Sequence, residues 1–132
     1  MNATLNGERT LTELDFARLQ LKNGQLPREL KDNCESANLV PSQEIPADVI
    51  TMYSQIEIVD LNSRRRQKLT LCYPRDAEPG LGFISVLSPV GSSLLGLTVG
   101  SVAHWRTPNG DECAAEVAAL LFQPEASGDY TT

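Results

Sequence analysis

Few residues in this chain are of a type that does chemistry. His104 is the single histidine, the side chain best suited to proton transfer near neutral pH. It stands beside Trp105 in a strand-like run with no obvious carboxylate partner, so a satisfied structural histidine accounts for it more simply than a general base. Ser92 and Ser93 lie between Gly91 and Gly96, but the order is not G-x-S-x-G and no lysine follows to reach a phosphate. Helix capping and close backbone packing explain that run better than a nucleophile elbow or a phosphate loop. Cys34, Cys72 and Cys113 are an odd set without paired spacing, which points to buried reduced thiols and not to a disulfide framework or a zinc site. No catalytic, cofactor or metal site is therefore expected. Arg64, Arg65, Arg66 and Lys68 form the one basic cluster. Such a run can grip a few phosphates or an acidic protein surface, although a hairpin tip is where a solvated charge run ordinarily sits. The seven aromatics are scattered, so no base-stacking platform is visible. Beyond Arg106 there are five acidic and no basic residues, an end suited to a basic protein patch and not to a nucleic-acid backbone.

The elements that position these residues fall into two groups. Thr10-Leu11-Thr12-Glu13 fits a capping box with Thr10 at the N-cap, and Leu11, Leu14, Ala17 and Leu21 then share one helical face, with Phe16 and Leu19 on a flank turned to the rest of the protein. Asn23-Gly24 ends the pattern, Pro27 suits the first turn of a second helix, and Leu30, Cys34 and Ala37 make its stripe. An antiparallel helical hairpin over residues 1–42 follows, with Pro41 and Pro46 in a linker. From Val49 the pattern is that of strands: Val49 to Leu61, Gln67 to Tyr73, Phe83 to Leu87, Ser101 to Trp105 and Glu112 to Phe122, with turns at Asp60 to Arg65 and Thr107 to Asp111. Ser88 as N-cap, Pro89 at the first helical position and Gly96 just past the end specify a short helix between the third and fourth strands.

Composition sets the outer bounds. At 132 residues, 41% hydrophobic and 21% charged, the chain has the make-up of one ordinary globular domain with a modest core. A net charge of -6 disfavours tight nucleic-acid binding, so no sequence-specific nucleic acid is expected as a partner. No stretch reaches the roughly 20 apolar residues of a membrane span, and Met1 to Thr10 lacks the pattern of a leader. A cytoplasmic protein with no membrane partner is the expectation.

Several motifs carry a resemblance. Ile84-Ser85-Val86-Leu87-Ser88-Pro89-Val90-Gly91, Leu94-Leu95-Gly96-Leu97, Val99-Gly100, Trp105, Pro108-Asn109-Gly110 and Gln123-Pro124-Glu125-Ala126 resemble the C-terminal domain of the bacterial Gre transcript-cleavage factors over roughly residues 49 to 130. Pro46 to Met52, Leu71-Cys72-Tyr73-Pro74 and Gln123 to Tyr130, with the chain's length, sharpen the likeness to a short Gre-like branch. The resemblance implies an α+β fold: a short, coiled-coil-like N-terminal antiparallel helical hairpin (1–42) and a Gre-like C-terminal domain (43–132), an FKBP-like antiparallel β-sheet with one short helix. It implies a monomer that docks on RNA polymerase at the rim of the secondary channel and competes there with Gre factors. Ser88, Pro89, Gly91, Gln123, Pro124, Glu125 and Asp129 are the implied partner contacts. Control of nucleoside diphosphate kinase would follow indirectly, through altered transcription.

The chain also departs from the Gre pattern. Gre activity depends on a long coiled coil with acidic residues at its tip, whereas the first helix here spans about 13 residues, about 20 Å. Its connection, Asn23 to Pro27, holds no carboxylate, and Glu29 and Asp32 fit the solvated face of the second helix. A regulator without transcript-cleavage activity is thus expected, with a cleavage-stimulating factor or a prolyl isomerase as the alternative; the sparse aromatics speak against an isomerase pocket, and fold analogy alone does not carry that activity.

Overall fold

The computed structural model describes residues 9–21 and 26–129. The Asn23-Gly24 turn expected between the first two helices lies outside them.

The N-terminal region differs from the expected hairpin. Thr10–Thr12 is a strand, β1, and it pairs in parallel with β2, Asn38–Val40. Strand pairing holds the chain extended through Thr12 (φ -73°, ψ 149°), so the cap moves two residues on: Thr12 Oγ1 accepts from the backbone N–H of Asp15 at 3.0 Å, and helix α1 runs Glu13–Gln20. The shift rotates the helix. Leu11 and Leu19 are buried, Leu14 is half-buried, and Ala17 and Leu21 face solvent. Leu19 and Phe16, the expected flank, are the side turned to the core. Helix α2, Arg28–Ser36, follows Pro27 and buries Leu30 and Cys34. The two helices do not form a coiled-coil-like pair. α1 lies on β1 and β2, while α2 packs on the short helix α3 (Pro89–Leu94). Leu11, Leu19, Leu30 and Cys34 all join one core with Ile56, Leu71, Val86 and Val117. An isolated pair of eight- and nine-residue helices would be marginal in water.

The remaining strands are β3 (Gln55–Asp60), β4 (Arg66–Cys72), β5 (Phe83–Ser85), β6 (Val102–Arg106) and β7 (Glu112–Phe122), in one curled sheet of order β5-β4-β3-β7-β6. The sheet is mixed and not antiparallel throughout: β5 pairs in parallel with β4, matching Thr70 to Phe83 and Cys72 to Ser85. Because the Tyr73–Gly82 connection makes two 3₁₀ turns, Pro74–Asp76 and Pro79–Leu81, it returns the chain to the same end from which β4 started. β3 begins later than expected. Thr51 and Ser54 bond each other in a tight turn, and Tyr53 takes a left-handed φ of 66°. Along β3 and β4 the apolar Ile56, Ile58, Leu69 and Leu71 are buried on one face and Glu57 and Lys68 lie on the other. Two register shifts between β3 and β7 add to the local twist.

Candidate protein-binding face

The Ser85–Gly96 segment folds as its residues dictate. Ser88 Oγ accepts from the Gly91 N–H at 3.1 Å, Pro89 opens α3, and Gly96 follows its end at φ +87°. Gly91 is required by contact. A Cβ there would stand 2.1 Å from the Ser85 carbonyl oxygen, inside any van der Waals separation. Ser92 donates to the Val86 carbonyl at 2.8 Å, and Gly91, Ser92, Ser93 and Leu94 are all buried. Of the expected contact residues here, Pro89 is exposed, Ser88 is half-buried and Gly91 is hidden.

Beyond the first turn of α3 the concave face of the sheet stays open. A groove of about 370 Å³ lies there, floored by Ile58, Leu69, Ile84, Ala115 and Val90 and walled by Trp105. Its rim is the β3–β4 turn. Asp60 organises that turn: its Oδ1 accepts from the N–H groups of Asn62 at 2.8 Å and Ser63 at 3.0 Å, and its own N–H donates to the Arg65 carbonyl at 2.9 Å. Those backbone donors hold the Asp60 carboxyl below the usual carboxylate range. Arg65 and Arg66 line the groove, and Arg66 pairs with Glu57 at 3.2 Å. On the other side of Trp105 a second hollow is lined by His104, Arg106, Glu112 and Cys113, with Arg106 paired to Glu112 at 3.1 Å. His104 is exposed and aligned with Ala114 across the sheet.

The other expected contacts lie beyond the far end of β7. Gln123, only 4% exposed, donates from Nε2 to the carbonyls of Pro46 (2.8 Å) and Val49 (2.7 Å), tying the end of β7 to the start of the sheet region. Pro124 is buried and Asp129 is exposed. Glu125 is 8% exposed and accepts from the Thr51 hydroxyl at 2.7 Å. The structure therefore separates the seven residues: Ser88, Pro89 and Gly91 sit at the start of α3, and Gln123, Pro124, Glu125 and Asp129 follow β7 at the end of the sheet opposite the Asp60 turn.

A polar junction under α1 was not expected. Asp15, 1% exposed, accepts from the Met52 N–H at 3.2 Å, and burial raises its pKa to about 6, with the nearby Glu125 adding to the rise. Arg18 lies beside the Tyr73 hydroxyl, and burial pushes the Tyr73 phenol well above its usual range. Tyr53 donates to the Asp76 carboxylate, and its ring packs against Tyr73 at 5.9 Å. Arg9 is the second surprise. Its guanidinium, 8% exposed, donates to the carbonyls of Ser93 (3.0 Å) and Leu95 (2.8 Å), capping the C-terminal end of α3. The Thr12-x-x-Asp15 spacing held a signal for the cap, but nothing local marks Arg9. Cys34 and Cys72 are buried free thiols and Cys113 a half-buried one; burial raises Cys34 to about 11. Among the described residues no group of three or more His, Cys, Asp or Glu is placed to hold a metal ion, and no helix is long and apolar enough to cross a membrane.

The five-stranded curled sheet, the capped helix α3 and the groove make up the greater part of this protein. Its class is that of a transcription-associated regulator: the chain belongs to the GreA/GreB family, residues 45–121 matching the model of the transcription elongation factor GreA/GreB C-terminal domain. Among its relatives is the regulator of nucleoside diphosphate kinase of Escherichia coli (strain K12), 39% identical over 101 residues that cover 76% of this chain and 74% of that one. A GreA of Solidesulfovibrio magneticus is 33% identical over 93 residues, 70% of this chain and 56% of the relative. Among solved structures, a GreA/GreB factor from Nitrosomonas europaea matches with a TM-score of 0.72 at 31% identity, covering 87% of this chain and 98% of that one. The short Gre-like branch to which the sequence motifs point is thus the one containing the nucleoside diphosphate kinase regulator. The expected fold is corrected. The helical hairpin is replaced by a strand-braced N-terminal segment, and the FKBP-like antiparallel sheet gives way to a mixed sheet whose likeness is to Gre factors.

Proposed function

We propose that this protein is an RNA polymerase-binding regulator of transcription elongation that docks at the secondary channel, competes with Gre factors and does not stimulate transcript cleavage. Control of nucleoside diphosphate kinase is its indirect consequence. The observation that carries the reading is the location of the family match: residues 45–121 include α3 and all of the five-stranded sheet but the last residue of β7, the region to which the Gre resemblance assigns docking. On this reading residues 43–132 bind and residues 1–42 are an accessory element. The exposed Pro89 and the half-buried Ser88 touch polymerase, Gly91 holds them in place, and Asp129 meets a basic patch while Gln123, Pro124 and Glu125 set the path of the tail. The protein acts as a cytoplasmic monomer and not as an enzyme. Reach speaks against cleavage: α1 has eight residues, about 12 Å of helix, and no long coiled coil stands among the described residues.

Capture of the full-length protein on immobilised core RNA polymerase tests the reading. Saturable binding displaced by a Gre factor is the expected result. A second arm incubates the protein with paused elongation complexes and magnesium; metal-dependent shortening of the transcript would make it a cleavage factor instead.

A further inference from the structure

The groove on the concave face has a charge pattern opposed to that of the molecule as a whole. The protein carries a net charge of -6, yet the turn at the rim of the groove presents Arg64, Arg65 and Arg66 in succession, with Arg65 and Arg66 lining it. Asp60, whose carboxylate accepts from the Asn62 and Ser63 N–H groups and also lines the groove, offsets one of these charges, and the rim of three arginines stays net positive. Arg64 adopts a left-handed φ of 63° and its N–H donates to the Asp60 carbonyl at 2.8 Å, so the backbone that aims these side chains is set before any partner arrives. Arg66 is engaged by Glu57, whereas the Arg64 and Arg65 guanidinium groups have no carboxylate partner among the described residues. Away from the turn the lining is apolar but for Gln67: Ile58, Leu69, Ile84, Val90 and Trp105.

We infer that this groove is a docking slot for a protein segment that inserts an apolar side chain beside Trp105 while carboxylates flanking that side chain meet Arg64 and Arg65. The chemistry matches on both counts. An apolar floor gains by excluding water from an aliphatic or aromatic anchor, and an Arg rim favours bidentate carboxylate contacts and speeds encounter with an acidic surface. A nucleic acid fits worse, because Trp105 is the one aromatic ring lining the slot and no series of rings stands beside it for successive bases. This slot adjoins the Ser88–Pro89 turn through Val90, which lines it. It rests on the polymerase-binding reading only in assigning the acidic segment to polymerase; the slot's preference for an acidic, apolar segment stands apart from it.

Trp105 is the only tryptophan in the chain, and because it borders both the slot and the hollow lined by His104 and Arg106, its emission reports binding at either, with Arg65→Glu separating the two. Two measurements on the full-length protein separate the two ideas. The first titrates a tryptophan-free synthetic peptide with one leucine between glutamates, the same peptide with lysines in their place, and oligo-deoxythymidine. The acidic peptide alone should shift Trp105 emission saturably, with the response weakening as salt rises and vanishing in Arg65→Glu. The second compares wild type, Arg65→Glu and Arg28→Glu for binding to core RNA polymerase; both sites are exposed, and Arg28 lies at the start of α2. Arg65→Glu should weaken binding about tenfold, while Arg28→Glu changes it by less than about twofold. If wild type binds polymerase and Arg65→Glu binds equally well, the assignment of the slot's occupant to polymerase is overturned while the polymerase reading stands, and the peptide titration decides the slot itself. If wild type does not bind polymerase, that reading fails, and the peptide titration alone decides the slot: a response to the acidic peptide upholds it, and silence, or a response to the oligonucleotide instead, overturns it.

Discussion

Asp15 is the residue whose chemistry differs most from its type. Burial raises its pKa to about 6 against an ordinary value of 3.8. A raised carboxyl pKa means that the folded state keeps a proton which the unfolded state releases. Below about pH 3.8 both states are protonated and the group is neutral towards stability. Between about 3.8 and 6 stability falls as pH rises, and above that the ionised buried carboxylate costs about 3 kcal/mol. Asp15→Asn keeps an oxygen for the Met52 N–H and removes the charge beside Glu125. It should therefore raise the melting temperature at pH 7.5 and flatten its dependence between pH 4 and 6, as read by thermal denaturation at several pH values. An unchanged pH profile would show that Asp15 is hydrated in solution. Gly91 presents the opposite case, in which a missing side chain matters. With a Cβ meeting the Ser85 carbonyl at 2.1 Å, Gly91→Ala should destabilise the protein by about 2 kcal/mol or more in urea unfolding. Local sequence made the cap at Ser88 and the glycine beside it readable, because partner and donor stand three residues apart. Asp15 and Arg9 were not readable, since their partners, Met52 and Leu95, come from 37 and 86 residues away.

Among the elements, α3 best shows how far local signals reach. Capping residue, proline and glycine fixed both its ends, and its leucines are buried as expected: Leu94 at 0% and Leu95 at 2% exposure. Leu95→Ala should cost about 2–5 kcal/mol, seen as a lower urea midpoint at unchanged slope. Helix α1 shows where such signals mislead. Thr10 and Thr12 both head plausible capping boxes, and the choice fell to Thr12 because parallel pairing with Asn38–Val40 keeps Thr10 to Thr12 extended. A three-residue parallel ribbon has no period to read in sequence, so the expected leucine stripe was placed on the wrong face of the helix. The same limit applies to β5. Three residues joined to β4 in parallel through two 3₁₀ turns look, in sequence, like any other short antiparallel strand.

Across the whole molecule the N-terminal segment and the sheet share one core, with Leu11, Leu19, Leu30 and Cys34 packed among residues of the sheet and α3 and Arg9 bonded to the end of α3. Deleting residues 1–42 removes all of these at once. The shortened protein should lose at least about 10 °C of melting temperature or its cooperative transition altogether, a result that circular dichroism reads directly. Binding is for this reason best measured with the full chain. Occupation of the polymerase channel without cleavage can be measured by adding the full-length protein to paused elongation complexes supplied with a fixed amount of a Gre factor. Gre-stimulated cleavage should fall with the dose of the protein, with no shortening of the transcript when the protein is added alone. Undiminished Gre cleavage at saturating protein would show that the channel is not occupied, and shortening by the protein itself would make it a cleavage factor.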